Sequence, residues 1–303
     1  MNLPFIDAEE VAARLPYSVC IPLMKEAMTA LSAGRTRQLL RSILDLPGGR
    51  AFGVMPGALD GGAFGAKLIS VFPGKEPSHQ GLVVLFDPDS GAPSAVIEAG
   101  ELTAIRTAAA SAAATDALAR PDATRLAILG TGEQARRHVE AIREVRAIDR
   151  VAIWGRDRDR AAALAESLGV EPAATVDEAV AGADIVCAVT AAEQPILFDV
   201  PEGAHVNAVG SSRDGPVEIA PALVARCRFF ADHAEGVRVQ GAEFRAALAA
   251  GLIGEGHLLG EIGQVFAGTL PGRTSPQDVT IYKSLGSIVQ DLAAAAFLVG
   301  GET

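Results

Sequence analysis

The sequence predicts an α/β protein: a small domain built on a largely antiparallel sheet, followed by a doubly wound parallel sheet. Three observations carry this. Short β-like runs broken by tight turns occupy residues 39–97, and strand-like and helix-like segments alternate from Arg125 onward. The alternation begins at a strand, glycine turn and helix spanning Arg125–His138. A chain of 303 residues is long for one core and suits two domains.

In the first part, Val19–Ala33 carries apolar groups at helical spacing, and Gly34 stands where a helix stops. The β-like runs are Leu39–Leu46, Ala51–Met55, Phe64–Phe72, Leu82–Phe86 and Ser94–Ile97. Turn signals such as Pro47-Gly48-Gly49, Asp60-Gly61-Gly62 and Pro73-Gly74 separate them. Tight turns between short strands imply antiparallel pairing. An Ala-rich helix, Glu101–Ala119, follows and ends at Arg120-Pro121-Asp122.

Beyond it the expected strands are Arg125–Leu129, Arg150–Trp154, Asp184–Thr190, His205–Gly210 and Arg228–Ala231. Helices are expected at Glu133–Arg146, Asp159–Leu168, Asp177–Ala181 and Pro221–Ala225, with right-handed crossovers. A last helix, about 286–299, has no strand after it and is free to pack on the first domain. The expected division is 1–120 completed by about 286–303, and 121–285.

Composition narrows the function classes. Hydrophobic residues are 49% and charged residues 21%, as in a soluble globular protein. No apolar run reaches the ~18–20 residues of a membrane span, and MNLPFIDAEEV lacks the basic and apolar regions of a signal peptide. A net charge of −11 argues against nucleic acid as a partner. Cys20, Cys187 and Cys227 are odd in number and widely spaced, fitting small buried hydrophobes better than a disulfide framework or a metal site. The expectation is a cytoplasmic protein without metal.

The junction at Arg125–His138 has chemistry in it. After the apolar run Leu126–Leu129 comes Gly130-Thr131-Gly132-Glu133-Gln134-Ala135, and then a helical pattern. This is the context of the G-x-G-x-x-G/A dinucleotide fingerprint of Rossmann-type domains. Gly130 permits the tight turn, Gly132 admits a pyrophosphate to the backbone, and Ala135 lets helix and strand pack closely. Backbone N–H groups of Thr131–Gln134 and the helix dipole favour phosphate. Thr190 and Gly210, at the ends of the fourth and fifth strands, lie where this fold places its nicotinamide crevice.

After the second strand of this sheet, the place of the ribose-binding acid is taken by Gly155, with Arg156 beside it. A guanidinium pairs with a phosphate that a carboxylate would repel, which favours NADP(H) over NAD(H). The alternative is a solvated Arg156 with Asp157 reaching the ribose.

The first domain also carries Arg41, Lys67 and Arg106 within otherwise apolar segments. Buried cations need an anion. Periodicity leaves two readings open: a shared small-molecule carboxylate, or unrelated surface cations paired with acids such as Glu98, Glu101 and Asp45.

Several motifs in order, AFGAKLISV (63–71), FPGKEPSHQG (72–81), LTAIRTAAA (102–110), GTGEQA (130–135), VNAVGSS (206–212) and TIYKSLGSIVQD (280–291), resemble the ornithine cyclodeaminase/mu-crystallin family over nearly the whole chain. GEIGQVFAGTLPGRTS (260–275) also looks like the family's C-terminal region. The resemblance implies a nicotinamide-binding Rossmann domain and a substrate domain that mediates homodimerisation. It implies that Arg41 and Arg106 clamp a substrate carboxylate and that Lys67 adds charge and orients or protonates an imine. Thr107, in the same motif, is a further candidate cofactor contact.

Cyclodeaminases of the family carry a glycine-aspartate-proline-glycine-lysine region whose aspartate assists deamination. The matching position here is Ser212, with Asp214 two residues on. A hydroxyl is no carboxylate base at neutral pH. Ser212 and Arg156 both resemble the NADPH-using ketimine reductase branch. The expected activity is therefore NADPH-dependent reduction of small cyclic imino acids such as Δ1-pyrroline-2-carboxylate or Δ1-piperideine-2-carboxylate. Ornithine cyclodeaminase, an amino-acid dehydrogenase such as alanine dehydrogenase, and a non-catalytic nucleotide- or hormone-binding protein are the alternatives.

Overall fold

A computed structural model describes residues 3–75, 79–211 and 215–300. The elements in chain order are β1 (Phe5–Ile6), α1 (Ala8–Arg14), α2 (Tyr17–Ser32), β2 (Thr36–Gln38), β3 (Ser42–Leu46), β4 (Arg50–Leu59), β5 (Phe64–Val71), β6 (His79–Phe86), β7 (Pro93–Glu98) and α3 (Ala99–Leu118). Then come β8 (Arg125–Leu129), α4 (Glu133–Val145), β9 (Arg150–Trp154), α5 (Arg158–Leu168), β10 (Glu171–Pro172), α6 (Val176–Val180), β11 (Ile185–Ala188), β12 (His205–Ala208), α7 (Pro221–Arg226) and β13 (Arg228–Ala231). The chain ends with α8 (Ala234–Gln240), α9 (Ala242–Ala249), β14 (Leu258–Glu261), α10 (Ile262–Phe266), β15 (Thr280–Lys283) and α11 (Ile288–Gly300). It divides into two compact units, Met1–Arg106 with Ser287–Thr303, and Thr107–Gly286. The division falls inside α3, between Arg106 and Thr107, rather than at the end of that helix.

In the first unit, strands run in the order β1-β7-β6-β5-β4-β2, with β3 also on β4. All pairs are antiparallel except the short β1 beside β7. Gly34 ends α2 at φ +69°, with Gly34 N–H donating to Leu31 O and Arg35 N–H to Ala30 O, the double bond of a left-handed glycine cap. Cross-strand neighbours Met55, Lys67, Val83 and Ile97 share one face, and all four are buried. The helices α2 and α11 pack against each other, and α11 lies on β4, β5 and β6. A β-carbon on Gly57 would come within 2.6 Å of Ile288, so α11 rests on bare backbone there. Full burial of Leu292, Val289 and Ile288 on that helix is worth about 1.5–3 kcal/mol per side chain.

One predicted strand is broken. Arg41 was expected within a strand at 39–46, but β2 and β3 pair with β4 as separate pieces and Arg41 lies between them. Pro56 on β4 stands opposite the break: its carbonyl accepts from Leu39 N–H, and it has no N–H to return.

The second unit is a parallel sheet in the order β10-β9-β8-β11-β12-β15-β13-β14. It is doubly wound and Rossmann-type, as the alternating pattern predicts. Its core runs through Leu129, Val186, Val206, Phe229 and Ile281. The sequence reading has no strand after residue 231, whereas β15 inserts between β12 and β13. Thr280 and Lys283 hid it, because a fully buried strand is expected to be apolar. Both are satisfied internally: Thr280 Oγ1 lies 2.9 Å from His205 Nδ1, and Lys283 Nζ lies 2.7 Å from Glu243. The C-terminal half of α3 belongs to this unit, with Ser111 hydrogen-bonded to buried His138 and Thr115 to Asn207. Burial pushes the His138 imidazole down to about 4, so it is neutral at physiological pH.

Candidate functional site

The first unit holds a compact charged cluster in its core. Lys67 on β5 is 2% exposed and Arg106 on α3 is 4% exposed. Asp291 on α11 is fully buried, and its Oδ1 accepts from Lys67 Nζ at 3.1 Å and from Arg106 Nε at 3.0 Å. Lys67 also donates to Thr103 Oγ1 at 2.6 Å, and Arg106 Nη1 donates to Gln290 Oε1 at 2.8 Å. Asp291 Oδ2 is buried without a hydrogen-bond partner.

The charges shift one another. Burial pushes the Lys67 ammonium down to about 8, against the attraction of Asp291, and the Arg106 and Arg41 cations push the same way as burial. Burial alone would raise the Asp291 carboxyl, yet Arg106 and Lys67 together hold it below the usual carboxylate range. His79, at the start of β6 on the same sheet face as Lys67, is lowered by burial and then by the Lys67 and Arg41 charges. Arg41 is half-buried and acts on both.

Lys67 and Arg106 are therefore paired with Asp291 rather than with Glu98, Glu101 or Asp45. Glu98 instead caps α3, accepting from Gly100 N–H and Glu101 N–H. The counter-ion Asp291 escaped the sequence reading, although an acid inside the apolar run IVQDLAAAAF of α11 was a usable signal. Among the described residues the two cations share one carboxylate, which leaves an excess of one positive charge. Lys67 uses two of its three donors and Arg106 two of its five.

In the second unit the turn at 130–132 joins β8 to α4. Gly130 sits at φ +137°, and a β-carbon there would lie 2.8 Å from Val189 O. Gly132 is the N-cap of α4, brings no side-chain cap to it, and has nothing within 4 Å of where a β-carbon would be. With no side-chain cap, the N-terminus of α4 keeps unpaired N–H groups at the positive end of the helix dipole. Ala135 is fully buried where α4 meets β8. Gln134 Oε1 is buried without a partner, and Glu133 pairs along the helix with Arg137 at 2.8 Å.

After β9, a β-carbon on Gly155 would come within 2.4 Å of the Thr131 methyl, so packing keeps this position bare. Asp157 caps α5, its Oδ1 accepting from Asp159 N–H and Arg160 N–H at 3.1 Å each. Arg156 between them is exposed. Thr107 lies buried in α3. Thr190 and Gly210 follow β11 and β12, but the Thr190 hydroxyl is turned inward to Glu218. Ser212 and Asp214 lie outside the described residues.

Burial pushes all three cysteine thiols up to about 12. Among the described residues no group of His, Cys, Asp and Glu could hold a metal, and no helix is long and apolar enough to cross a membrane.

A two-unit chain with one doubly wound parallel sheet and one largely antiparallel sheet belongs to the Rossmann-type α/β class. The chain belongs to the ornithine cyclodeaminase/mu-crystallin family, whose sequence profile matches residues 4–300. Ketimine reductase mu-crystallin of Mus musculus is 36% identical over 305 residues, covering 96% of this chain and 95% of that protein. A Delta(1)-pyrroline-2-carboxylate reductase of Bacillus cereus is 33% identical over 308 residues, covering 97% and 94%. The structure of Thermococcus litoralis Delta(1)-pyrroline-2-carboxylate reductase in complex with NADH and L-proline superposes with a TM-score of 0.93 at 28% identity, covering 98% of this chain and 97% of that one.

Proposed function

We propose that this protein is an NADPH-dependent reductase of small cyclic imino acids, ketimines such as Δ1-pyrroline-2-carboxylate or Δ1-piperideine-2-carboxylate. The observation that carries the reading is the uncompensated positive charge on the buried Lys67–Arg106–Asp291 cluster, with donors still unused. A carboxylate anion fits it, since a buried cation without an anion is costly. The relatives act on substrates of that class.

Each residue has a task in this reading. Arg106, aided by Arg41, holds the carboxylate and so fixes the C=N carbon in one orientation. When bound to the turn 130–135, a reduced nicotinamide supplies the hydride that this carbon accepts. The imine nitrogen takes a proton, and Lys67 stands ready to provide it. An ammonium lowered to about 8 is mostly protonated at neutral pH yet gives up its proton readily. The test is steady-state NADPH oxidation with pyrroline- and piperideine-2-carboxylate, beside ammonia release from ornithine with NAD⁺. Turnover of the ketimines without ammonia supports the reductase. Ammonia and proline from ornithine overturn it in favour of a cyclodeaminase.

NADPH rather than NADH is supported by three neighbours in a row. Gly155 cannot carry the ribose-binding acid, the Asp157 carboxylate is engaged as a helix cap, and Arg156 is exposed between them. A charged hydrogen-bond pair to the 2′-phosphate is worth about 1.5–3 kcal/mol. Arg156→Ala is therefore expected to raise KM for NADPH about tenfold or more while leaving KM for NADH unchanged. An equal rise for both cofactors would show that Arg156 does not read the phosphate.

We also propose a homodimer formed through the first unit's outer sheet face. Leu44, Phe52, Val54, Leu68, Leu82 and Val84 alternate onto that face, and none is fully buried. A contiguous apolar surface of this kind marks a protein interface. Leu68→Glu is expected to convert a dimer into monomers in sedimentation velocity. A monomeric wild-type protein would refute the assignment.

A further inference from the structure

Behind Thr190 and Gly210 lies a buried acidic bracket that the proposed reaction does not yet use. Glu218 is fully buried. Its Oε1 accepts from Thr190 N–H at 2.6 Å and from the Thr190 hydroxyl at 2.7 Å, and its Oε2 accepts from Gly210 N–H at 2.7 Å. One carboxylate thus ties the segment after β11 to the segment after β12. A β-carbon on Gly210 would lie 2.0 Å from Thr190 O and 2.6 Å from Glu218, so these segments approach as closely as backbone allows.

A second layer supports the first. Glu243 on α9 accepts from Glu218 N–H at 3.3 Å and from the Ser211 hydroxyl at 3.2 Å, and pairs with Lys283 Nζ on β15 at 2.7 Å. Lys283 donates in turn to Ser211 O and Oγ. All of Glu218, Glu243 and Lys283 are 0% exposed. Lys283 neutralises Glu243, which leaves the cluster with one excess negative charge, on Glu218. Burial pushes the Glu218 carboxyl up, and the three converging donors, with the Lys283 charge, work against burial in favour of the ionised form.

The C-terminal ends of β11 and β12 are where a doubly wound sheet receives the nicotinamide ring. That ring is neutral when reduced and positive once it has given up a hydride. We propose that the buried Glu218 carboxylate, acting through Thr190 and Gly210, favours the oxidised ring over the reduced one and so helps draw the hydride onto the substrate. It is a positioning residue with an electrostatic role, and the inference rests on the nicotinamide reading above. In a medium where charge is poorly screened, one unit of charge directly behind the segments that line the crevice would change the preference by about tenfold.

The experiment is a pair of binding constants, for NADP⁺ and NADPH without substrate, measured by titration calorimetry on the whole protein. Glu218→Gln is expected to weaken NADP⁺ about tenfold more than NADPH, and Glu218→Asp, which keeps the charge, is expected to preserve the wild-type ratio. Glu243→Gln also removes the cluster's excess negative charge and is expected to shift the ratio in the same direction, providing a second test where Glu218→Gln does not fold. A bracket that only shapes the crevice weakens both cofactors alike, and an unchanged ratio in either glutamine variant overturns the proposal. Failure of wild-type protein to bind either cofactor would instead refute the nicotinamide reading itself.

Discussion

Asp291→Ala is expected to destabilise the protein by about 3–5 kcal/mol, the usual cost of breaking a buried ion pair from one side. The variant leaves Lys67 and Arg106 in a site 2–4% exposed with no carboxylate between them. Both were held by the same oxygen, so two buried cations lose their counter-ion at once. Lys67 would relieve the repulsion by losing its proton, since burial has already brought its ammonium down to about 8. Arg106 cannot do so. In thermal unfolding the loss amounts to a fall in Tm of about 10 °C, and a small carboxylate such as L-proline should restore part of it by occupying the vacated charge. The pH dependence has a definite sign. Asp291 is held below its ordinary value in the folded state, so its stabilisation is complete above about pH 4 and is lost as the pH falls further. An unchanged Tm in Asp291→Ala would show that the cluster does not hold the first unit together.

Lys67→Met is expected to lower kcat/KM for ketimine reduction by about 10²–10⁴, the range for loss of a positioned general acid. Methionine fills similar volume and carries no proton, so cofactor binding at the turn 130–135 should be retained. The pH profile separates this role from simple damage. In the wild type, kcat/KM should fall as the pH rises through about 8, where Lys67 loses its proton. In Lys67→Met that limb should disappear. A profile with the same alkaline limb in both proteins would assign the proton to another group, and His79 is the first to test because it shares the sheet face with Lys67.

Much of this arrangement is legible in the sequence because it is local. The strand, turn and helix at 125–146 are contiguous, so the apolar run, Gly130, Gly132 and Ala135 could be read as one unit. Lys67 and Arg106 stood out because a cation in an apolar segment demands a reason. The unread parts are long-range. Asp291 meets Lys67 across 224 residues and Arg106 across 185, and nothing near residue 291 announces those partners. The insertion of β15 between β12 and β13 is a choice of topology that no local pattern encodes. No local pattern marks Glu218 and Glu243, because their donors lie on other segments. Arg41 was misplaced within a strand by an apolar run that hides the effect of Pro56 on the neighbouring strand.

The most direct measurement follows the hydride. The purified protein would be given Δ1-pyrroline-2-carboxylate and NADPH carrying deuterium at the transferable C4 position, and the product examined by mass spectrometry. The account predicts proline with one deuterium at C2, formed in step with NADPH oxidation. Proline without deuterium, or no proline at all, would contradict it.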